Sequence, residues 1–480
     1  MAKQTTTDKY LTHHAEPVIE WLEDFPCKLR YDTAIVIPAF DESHLFIQAM
    51  QHTVASSEQT ILVICVLNCP EQCSQPQREN TQALSSTLRQ AGTPKWVSKL
   101  GTELNLIETT PTLHWLVWDL SKPSPSTLPL FEKHQYGVGY ARKLGMDSAL
   151  ALLNSHQIKT PYLYSSDADA CWPREYFTAI PKPTNDSISS YIFPFIHTLQ
   201  NTTHSTEHSH PVDTPTGTIE AQLYEVSLRY YVAGLRWSGS PWGFHTVGST
   251  LAIHGKHYAA NRGFPKREAG EDFYLLNKLA KTGAIVTLKK PIIQLSDRPS
   301  HRVPFGTGPA IQKINGMQNW SLEFLFYHPE IFSLLKCWHQ IIPTLFHTAL
   351  NESLAPFGHQ GELLLQTLTM LGVEKSLNHC KKHCKSQDDF VRHLFNWFDA
   401  FRTLKFIHHL RNLHLPSINF NTCYNKAAQG AIAFLELDNP DTSKPAAQRL
   451  AEFSEHLWQQ EQQTAPHIAG NVKSRITLLN

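Results

Sequence analysis

The sequence predicts an α/β protein with a mixed, mostly parallel sheet between helices, followed by an all-α region, and three observations point there. Short continuous apolar runs recur through the first two thirds of the chain, each stopped by Asp, Asn or Pro, as strands buried on both faces are. Polar, helix-compatible segments separate them, which is the rhythm of βαβ units. From about residue 315 these runs give way to apolar stripes at helical spacing. The expected division is a helical cap over 1–30, an α/β domain over 31–314 and an α-helical domain over 315–480.

At 480 residues the chain is too long for one ordinary core. A hydrophobic content of 41% with 18% charged residues belongs to a folded protein rather than a disordered one. Lys plus Arg and Asp plus Glu each number 42, so no net field draws the chain to nucleic acid, and a nucleic-acid role is disfavoured. The first ten residues carry no apolar signal core, and no later stretch is apolar for the length that a membrane span needs, so a cytoplasmic protein is expected. Nine scattered cysteines agree with a reducing compartment.

Taken in order, Val18, Ile19, Trp21 and Leu22 among acids give the cap its helical signal. Thr33 to Phe40 is the first buried strand, stopped by Pro38 and then by Asp41 and Glu42. Ile61 to Leu67 is the second, ending at Asn68-Cys69-Pro70, and Leu113 to Leu120 is the third, with Asp119 near its end. Tyr162 to Ser165 is the fourth and runs into Asp167-Ala168-Asp169. Ligands of such sheets gather at the carboxyl ends of strands, where Asp41, Asn68, Asp119 and Asp167 fall. Because side chains alternate along a strand, Asp167 and Asp169 share a face, and two hard oxygen ligands there suit Mg²⁺ or Mn²⁺. A surface turn is the plainer alternative.

Between the third and fourth strands, Gly137-Val138-Gly139 opens a helix that carries Arg142, available to a phosphate or else facing solvent. Ile188 to Phe195 is a fifth strand, and the polar run after it, with His204, His208 and His210, reads as a connection. Tyr224 to Trp237 reads as helix and Trp242 to Ile253 as strand. Gly270-Glu271-Asp272 begins a helix with lysines in its last turn, so both acids have an alternative reading as partners of the helix dipole. A loop of turn formers and cations follows from Asp297, including Arg298, His301 and Arg302. In the helical region, Phe390, Leu394, Trp397, Phe398 and Phe401 form a core stripe, and His379, Cys380, His383 and Cys384 lack the spacing of a zinc site.

Taken together, the first strand, Asp167-Ala168-Asp169, Gly270-Glu271-Asp272 and the Arg298-Pro299-Ser300-His301-Arg302 loop resemble the GT-A glycosyltransferases, most closely the family-2 group that uses nucleotide-activated sugars. The resemblance covers about residues 31 to 310 in the right order. It implies a Rossmann-like GT-A fold, a UDP- or GDP-linked donor, a carbohydrate or other hydroxyl acceptor, and Mn²⁺ or Mg²⁺ as cofactor. By resemblance, Pro38, Ala39, Asp41 and Glu42 lie near the base and ribose, and Asp119 faces the base. Asp167 meets ribose and metal, Asp169 ligates the metal directly, and His301 is the third ligand. Arg298 and Arg302 meet the diphosphate, and Asp272 is the base of an inverting reaction, with Glu271 its alternate. Trp242 is a candidate acceptor platform, or a core residue. Asn68-Cys69-Pro70 departs from the family pattern after the second strand.

The chemistry needs these parts, since cations stabilise a leaving diphosphate and a carboxylate takes the acceptor's proton. At a helix start the base would have its pKa lowered and would accept its proton late. Rival readings are a retaining transferase, a nucleotidyltransferase, which would want a glycine-rich basic loop after the first strand, and a sugar-nucleotide-binding protein without transfer. Peripheral contact with a membrane stays open, because Arg402, Lys405, His408 and Arg411 alternate with apolar residues.

Overall fold

The computed structural model describes residues 4–55, 57–70, 72–122, 137–198, 217–298 and 306–470. The chain divides into two compact units, one of residues 1–218 with 246–311 and one of residues 219–245 with 312–480. The first unit is therefore interrupted in sequence, and the boundary differs from the expected single break near 315. The helix that leaves the first unit packs with partners a hundred or more residues further on, and nothing local in its sequence announces them.

In chain order, the first unit opens with α1 (Thr6–His13) and a 3-10 turn (Pro17–Leu22), then β1 (Thr33–Ala39), α2 (Leu45–Val54), β2 (Ile61–Asn68) and α3 (Gln75–Gln90). Next come β3 (Thr93–Val97), β4 (Leu104–Thr110), β5 (Leu113–Leu120), α4 (Val138–Asn154), β6 (Tyr162–Ser165), β7 (Ala170–Cys171), β8 (Ile188–Ile192) and β9 (Phe195–Thr198). After α5 (Ile219–Trp237), which belongs to the second unit, the first unit resumes with β10 (Leu251–His254), α6 (Gly255–Ala260), α7 (Glu271–Thr282), β11 (Ala284–Thr287) and β12 (Ile293–Ser296).

Its main sheet runs β11-β8-β10-β6-β1-β2-β5-β4-β3. The centre is parallel: β1 pairs with β2 and β6, and β2 with β5. Every residue of β1 and β2 is buried, which is why they read as unbroken apolar runs. Strand β1 continues through Ala39, so Pro38 and Ala39 are strand residues with buried side chains, as the expected strand Thr33 to Phe40 has them. Two antiparallel strands, β3 and β4, extend one edge. Strand β3 is largely exposed and offers no apolar run to recognise.

The expected strand through Phe195 is two strands. β8 lies in the main sheet, and past Phe193-Pro194, where proline can donate no ladder bond, β9 joins a small sheet ordered β7-β12-β9. That sheet sets β12 antiparallel to β7, with Leu295 opposite Ala170. It therefore carries the chain just after β12 back past Asp169. Likewise only Leu251–His254 of the expected 242–253 strand is extended pairing, with a 3-10 turn at Gly248–Thr250 before it.

The cap is fixed by one buried carboxylate. Asp147 of α4 is fully buried and accepts from Tyr10 Oη at 2.6 Å, Tyr258 Oη at 2.9 Å, the Glu16 amide at 2.8 Å and Lys143 Nζ at 2.9 Å. Burial, then the Asp147 charge, hold the Tyr10 phenol well above its usual pKa, so it stays a donor.

The second unit is helical. Leu223, Val226, Tyr230 and Leu235 of α5 share a core with Ile331, Phe332 and Trp338 of helix Pro329–Ile341, Phe390 and Leu394 of helix Gln387–Trp397, and Phe453 and Leu457 of helix Ala446–Thr464. Gly234 makes room there, because a Cβ would meet the Phe332 ring at 2.6 Å. Within this core Glu461 accepts from His245 Nε2 at 2.8 Å and pairs with Arg229 Nε at 3.1 Å, while Arg229 Nη1 reaches Glu225 at 2.6 Å. Among the described residues no helix is long and apolar enough to cross a membrane.

Candidate functional site

The strands β6, β1, β2 and β5 end at one edge of the sheet, and segments far apart in sequence meet beyond it. Past β6 the residues alternate as the sequence suggests. Ser166, Ala168 and Ala170 are buried, whereas Asp167 and Asp169 keep 38% and 28% of their side chains exposed. Past β1, Asp41 adopts a positive φ of 54°, a conformation that aspartate tolerates better than most residues. Two residues of α3 hold it there: Thr81 Oγ1 accepts from its amide at 3.0 Å, and Asn80 donates to its carboxylate at 3.0 Å. Glu42, nearly buried, pairs with Arg298 at 2.6 Å, and the same guanidinium lies 3.6 Å from Asp169. Thus the return of β12 past β7 brings Asp169, Glu42 and Arg298 together.

The third segment is the start of α7. Gly270 takes a left-handed φ of 71° before it, and the Phe273 amide donates to Asp272 Oδ1 at 2.7 Å. Burial, and next the Glu271 carboxylate, push the Asp272 carboxyl up to about 7, against the pull of Arg142 and the Phe273 amide. This reverses the direction expected from the helix start. The dipole is worth a fraction of a kcal/mol to about one, whereas removal from water and a like charge next door act more strongly.

Arg142 departs furthest from expectation. It is 3% exposed and spans the gap between segments: Nε donates to Glu271 Oε1 at 2.9 Å, Nη2 to Asp167 Oδ1 at 2.8 Å, and Nη1 to Ser165 Oγ at 2.8 Å and the Gly248 carbonyl at 3.1 Å. Burial alone would lower its pKa, but Asp167 and Glu271 more than offset that and hold it above the usual value. An arginine so committed meets no donor phosphate, so the expected phosphate contact is corrected to an internal tie. Glu271, 4% exposed and paired to Arg142, is likewise removed as an alternate base.

Two further expectations change. Asp119 sits at the end of β5, but its oxygens accept from Ser121 N at 3.2 Å, Ser121 Oγ at 2.6 Å and Ser85 Oγ, with Arg89 Nη2 at 3.5 Å. With those lone pairs engaged, it fastens α3 to the sheet and has none to spare for a base. Trp242 lies in the second unit, 3% exposed, with its indole N–H on the Phe398 carbonyl at 2.9 Å, so it is a core residue and no acceptor platform. His301 and Arg302, and the histidines at 204, 208 and 210, lie outside the described residues. The sequence reading missed Ser165 and Gly248 as partners of Arg142. A glycine inside an expected strand, as Gly248 is in the stretch from Trp242 to Ile253, is the signal for a close approach, and here a Cβ on it would meet Arg142 Nη2 at 2.9 Å.

The donor set decides whether a divalent cation fits. Two hard carboxylates share one side of a strand end, and around them the guanidiniums of Arg142 and Arg298 face Asp167, Asp169, Glu42, Glu271 and Asp272, an excess of negative charge. Among the described residues no group of three His, Cys, Asp or Glu could hold an ion by itself, the 379–384 histidines and cysteines included. The arrangement therefore fits a cation that takes its other oxygens from water and a diphosphate.

No family model matches the chain, and no curated protein matches it. Among solved structures it is similar to the mannosyltransferase PcManGT from Pyrobaculum calidifontis in complex with GDP-Man and Mn²⁺, at 12% identity and a TM-score of 0.31, over 83% of this chain and 94% of that one. At that score the overlap carries no argument about activity. What the chain's own residues establish is a mixed α/β unit in which Asp272, at a helix start, lies within electrostatic reach of Asp167, past the end of β6.

Proposed function

We propose that the chain is a glycosyltransferase, moving a sugar from a UDP- or GDP-linked donor to a hydroxyl acceptor with inversion. The observation that carries this reading is Asp272. It is a carboxyl raised to about 7, at a helix start, within the electrostatic reach of Asp167 and Arg142 at the carboxyl edge of a parallel sheet. A general base works best with a pKa near the operating pH, and here it lies beside the pair suited to a nucleotide diphosphate.

In this mechanism Asp167 and Asp169 would hold a divalent cation, Mn²⁺ or Mg²⁺, which would supply charge stabilisation to the departing diphosphate. Arg298 leaves Glu42 and Asp169 to meet the same phosphates; by resemblance Arg302 is a further diphosphate contact and His301 the third protein ligand of the cation. Asp41, held by α3, and Glu42 line the base and ribose. Asp272 Oδ2 takes the proton of the acceptor hydroxyl as its oxygen attacks the anomeric carbon, while Oδ1 stays on the Phe273 amide. Because that carboxyl is raised, it accepts the proton earlier than an ordinary aspartate would.

The test is Asp272→Asn together with a panel of nucleotide sugars, with GDP-mannose in its first row. The variant keeps the shape and the Phe273 bond, so donor binding persists while kcat falls by about 10² to 10⁴. In the parent, the rate rises as pH passes about 7 and then levels. A variant of parental kcat removes Asp272 from the reaction and points to a retaining enzyme. A parent that binds donor in Mn²⁺ yet never turns it over points to a binding protein.

A further inference from the structure

Resting on that reading, we propose that Glu271 and Arg142 are a buried positioning pair: they tie the helix start that bears Asp272 to the strand end that bears Asp167, so that Glu271 governs metal-dependent nucleotide binding without touching the ligand. A guanidinium is a planar fork of fixed geometry, and Arg142 uses separate nitrogens of it, Nε for Glu271 at 2.9 Å and Nη2 for Asp167 at 2.8 Å. The spacing of the two carboxylates is thereby set by one rigid group. The group cannot drift, because Nη1 is anchored on Ser165 Oγ and the Gly248 carbonyl, and the Phe264 ring lies 6.0 Å from its central carbon.

The charge balance gives the pair its effect. Arg142 and Glu271 are both nearly buried, so each needs the other's charge, while Asp167 remains partly exposed at the site. With Glu271 ionised, Arg142 is already neutralised from one side and leaves Asp167 much of its negative charge for a cation. With residue 271 neutral, the whole guanidinium charge falls on Asp167 and the strand end becomes a poorer cation ligand.

The experiment uses the full chain as parent, Glu271→Gln, Glu271→Asp and Arg142→Lys, titrated calorimetrically with GDP and with UDP, each with and without Mn²⁺. Glu271→Gln should weaken Mn²⁺-dependent nucleotide affinity by about 10- to 100-fold, the scale of a lost partner to a metal-binding side chain, while Mn²⁺-independent binding holds. Arg142→Lys, whose single ammonium cannot span both carboxylates, should lose the same Mn²⁺ dependence. Glu271→Asp, keeping the charge, should recover part of it, and Arg142→Lys carries the test if Glu271→Gln does not fold. Parental Mn²⁺-dependent affinity in Glu271→Gln, with only a lower melting temperature, would leave the pair a structural contact and overturn the proposal, as would parental affinity in Arg142→Lys. A parent that binds neither nucleotide with Mn²⁺ overturns the functional reading and this proposal with it.

Discussion

The raised carboxyl of Asp272 makes the free protein's stability depend on pH in a direction opposite to most aspartates. Its folded value is about 7 against an ordinary 3.8, so between these values the folded chain keeps a proton that the unfolded chain has released. Stability therefore falls as pH rises from about 4 to 7 and is level above, because the slope follows protons bound by the unfolded state minus those bound by the folded state. Each pKa unit is worth about 1.4 kcal/mol, which puts the full cost of ionising Asp272 near 4 kcal/mol; partial exposure to solvent screens it to about 2 to 4 kcal/mol. Asp272→Asn removes the ionisation and keeps the bond to Phe273. For a unit of this length the difference amounts to roughly 4 to 8 °C in melting temperature. Parent and variant, melted without divalent ion or nucleotide and followed by near-ultraviolet circular dichroism, should differ little at pH 4 and by that amount at pH 8, the variant being the more stable. An offset that stays constant from pH 4 to pH 8 would refute the burial argument.

Three other outcomes follow from buried groups. Gly248→Ala places a Cβ 2.9 Å from Arg142 Nη2, so the guanidinium must shift; an overpacking cost of about 1 to 3 kcal/mol is expected, read by urea unfolding, with Mn²⁺-dependent nucleotide affinity falling alongside. Asp147→Asn removes the nearer of the two buried carboxylates at Lys143, at 2.9 Å, and leaves Glu16 at 3.9 Å, so it should cost about 3 kcal/mol, with limited proteolysis showing early cleavage around α1 as the Tyr10 tie loosens. In the second unit, burial opposes ionisation of Glu461, but His245, Arg229 and Arg236 overcome it and hold its pKa well below the usual glutamate value. Its contribution is present above the ordinary value of about 4.5 and is lost as pH falls through the lower folded one, so Glu461→Gln should cost about 3 to 5 kcal/mol at pH 7 and less in acid, by tryptophan fluorescence melting.

How much was legible in the sequence depended on whether the cause was local. Strands β1, β2, β5 and β6 were readable because burial on both faces leaves an uninterrupted apolar run, and Asp167 with Asp169 because alternation survives past the strand end. The exposed edge strand β3 carries no such mark. The helix dipole at Asp272 is visible in neighbouring residues, but the burial and the Glu271 charge that outweigh it belong to the folded unit. Arg142 read as a helix-start cation because its partners Ser165, Asp167, Gly248 and Glu271 lie 23 to 129 residues away. The engaged oxygens of Asp119 were hidden for the same reason, since Ser85 and Arg89 come from a different element.

The helix α5, encoded before the second half of the first unit yet packed in the second, sets an order of events on the ribosome. It leaves the exit tunnel well ahead of the helix at Ala446–Thr464 that closes over it. At about 5 to 20 residues per second that interval is on the order of tens of seconds. Throughout it Leu223, Val226, Tyr230 and Leu235 wait without their later partners, while the strands on either side of α5 in the chain can already pair. A nascent chain of this design presents one greasy helix between the halves of a sheet that is still assembling. Synthesis of the final third is then what rescues it, so premature termination between about 315 and 446 yields a product that holdase chaperones should retain.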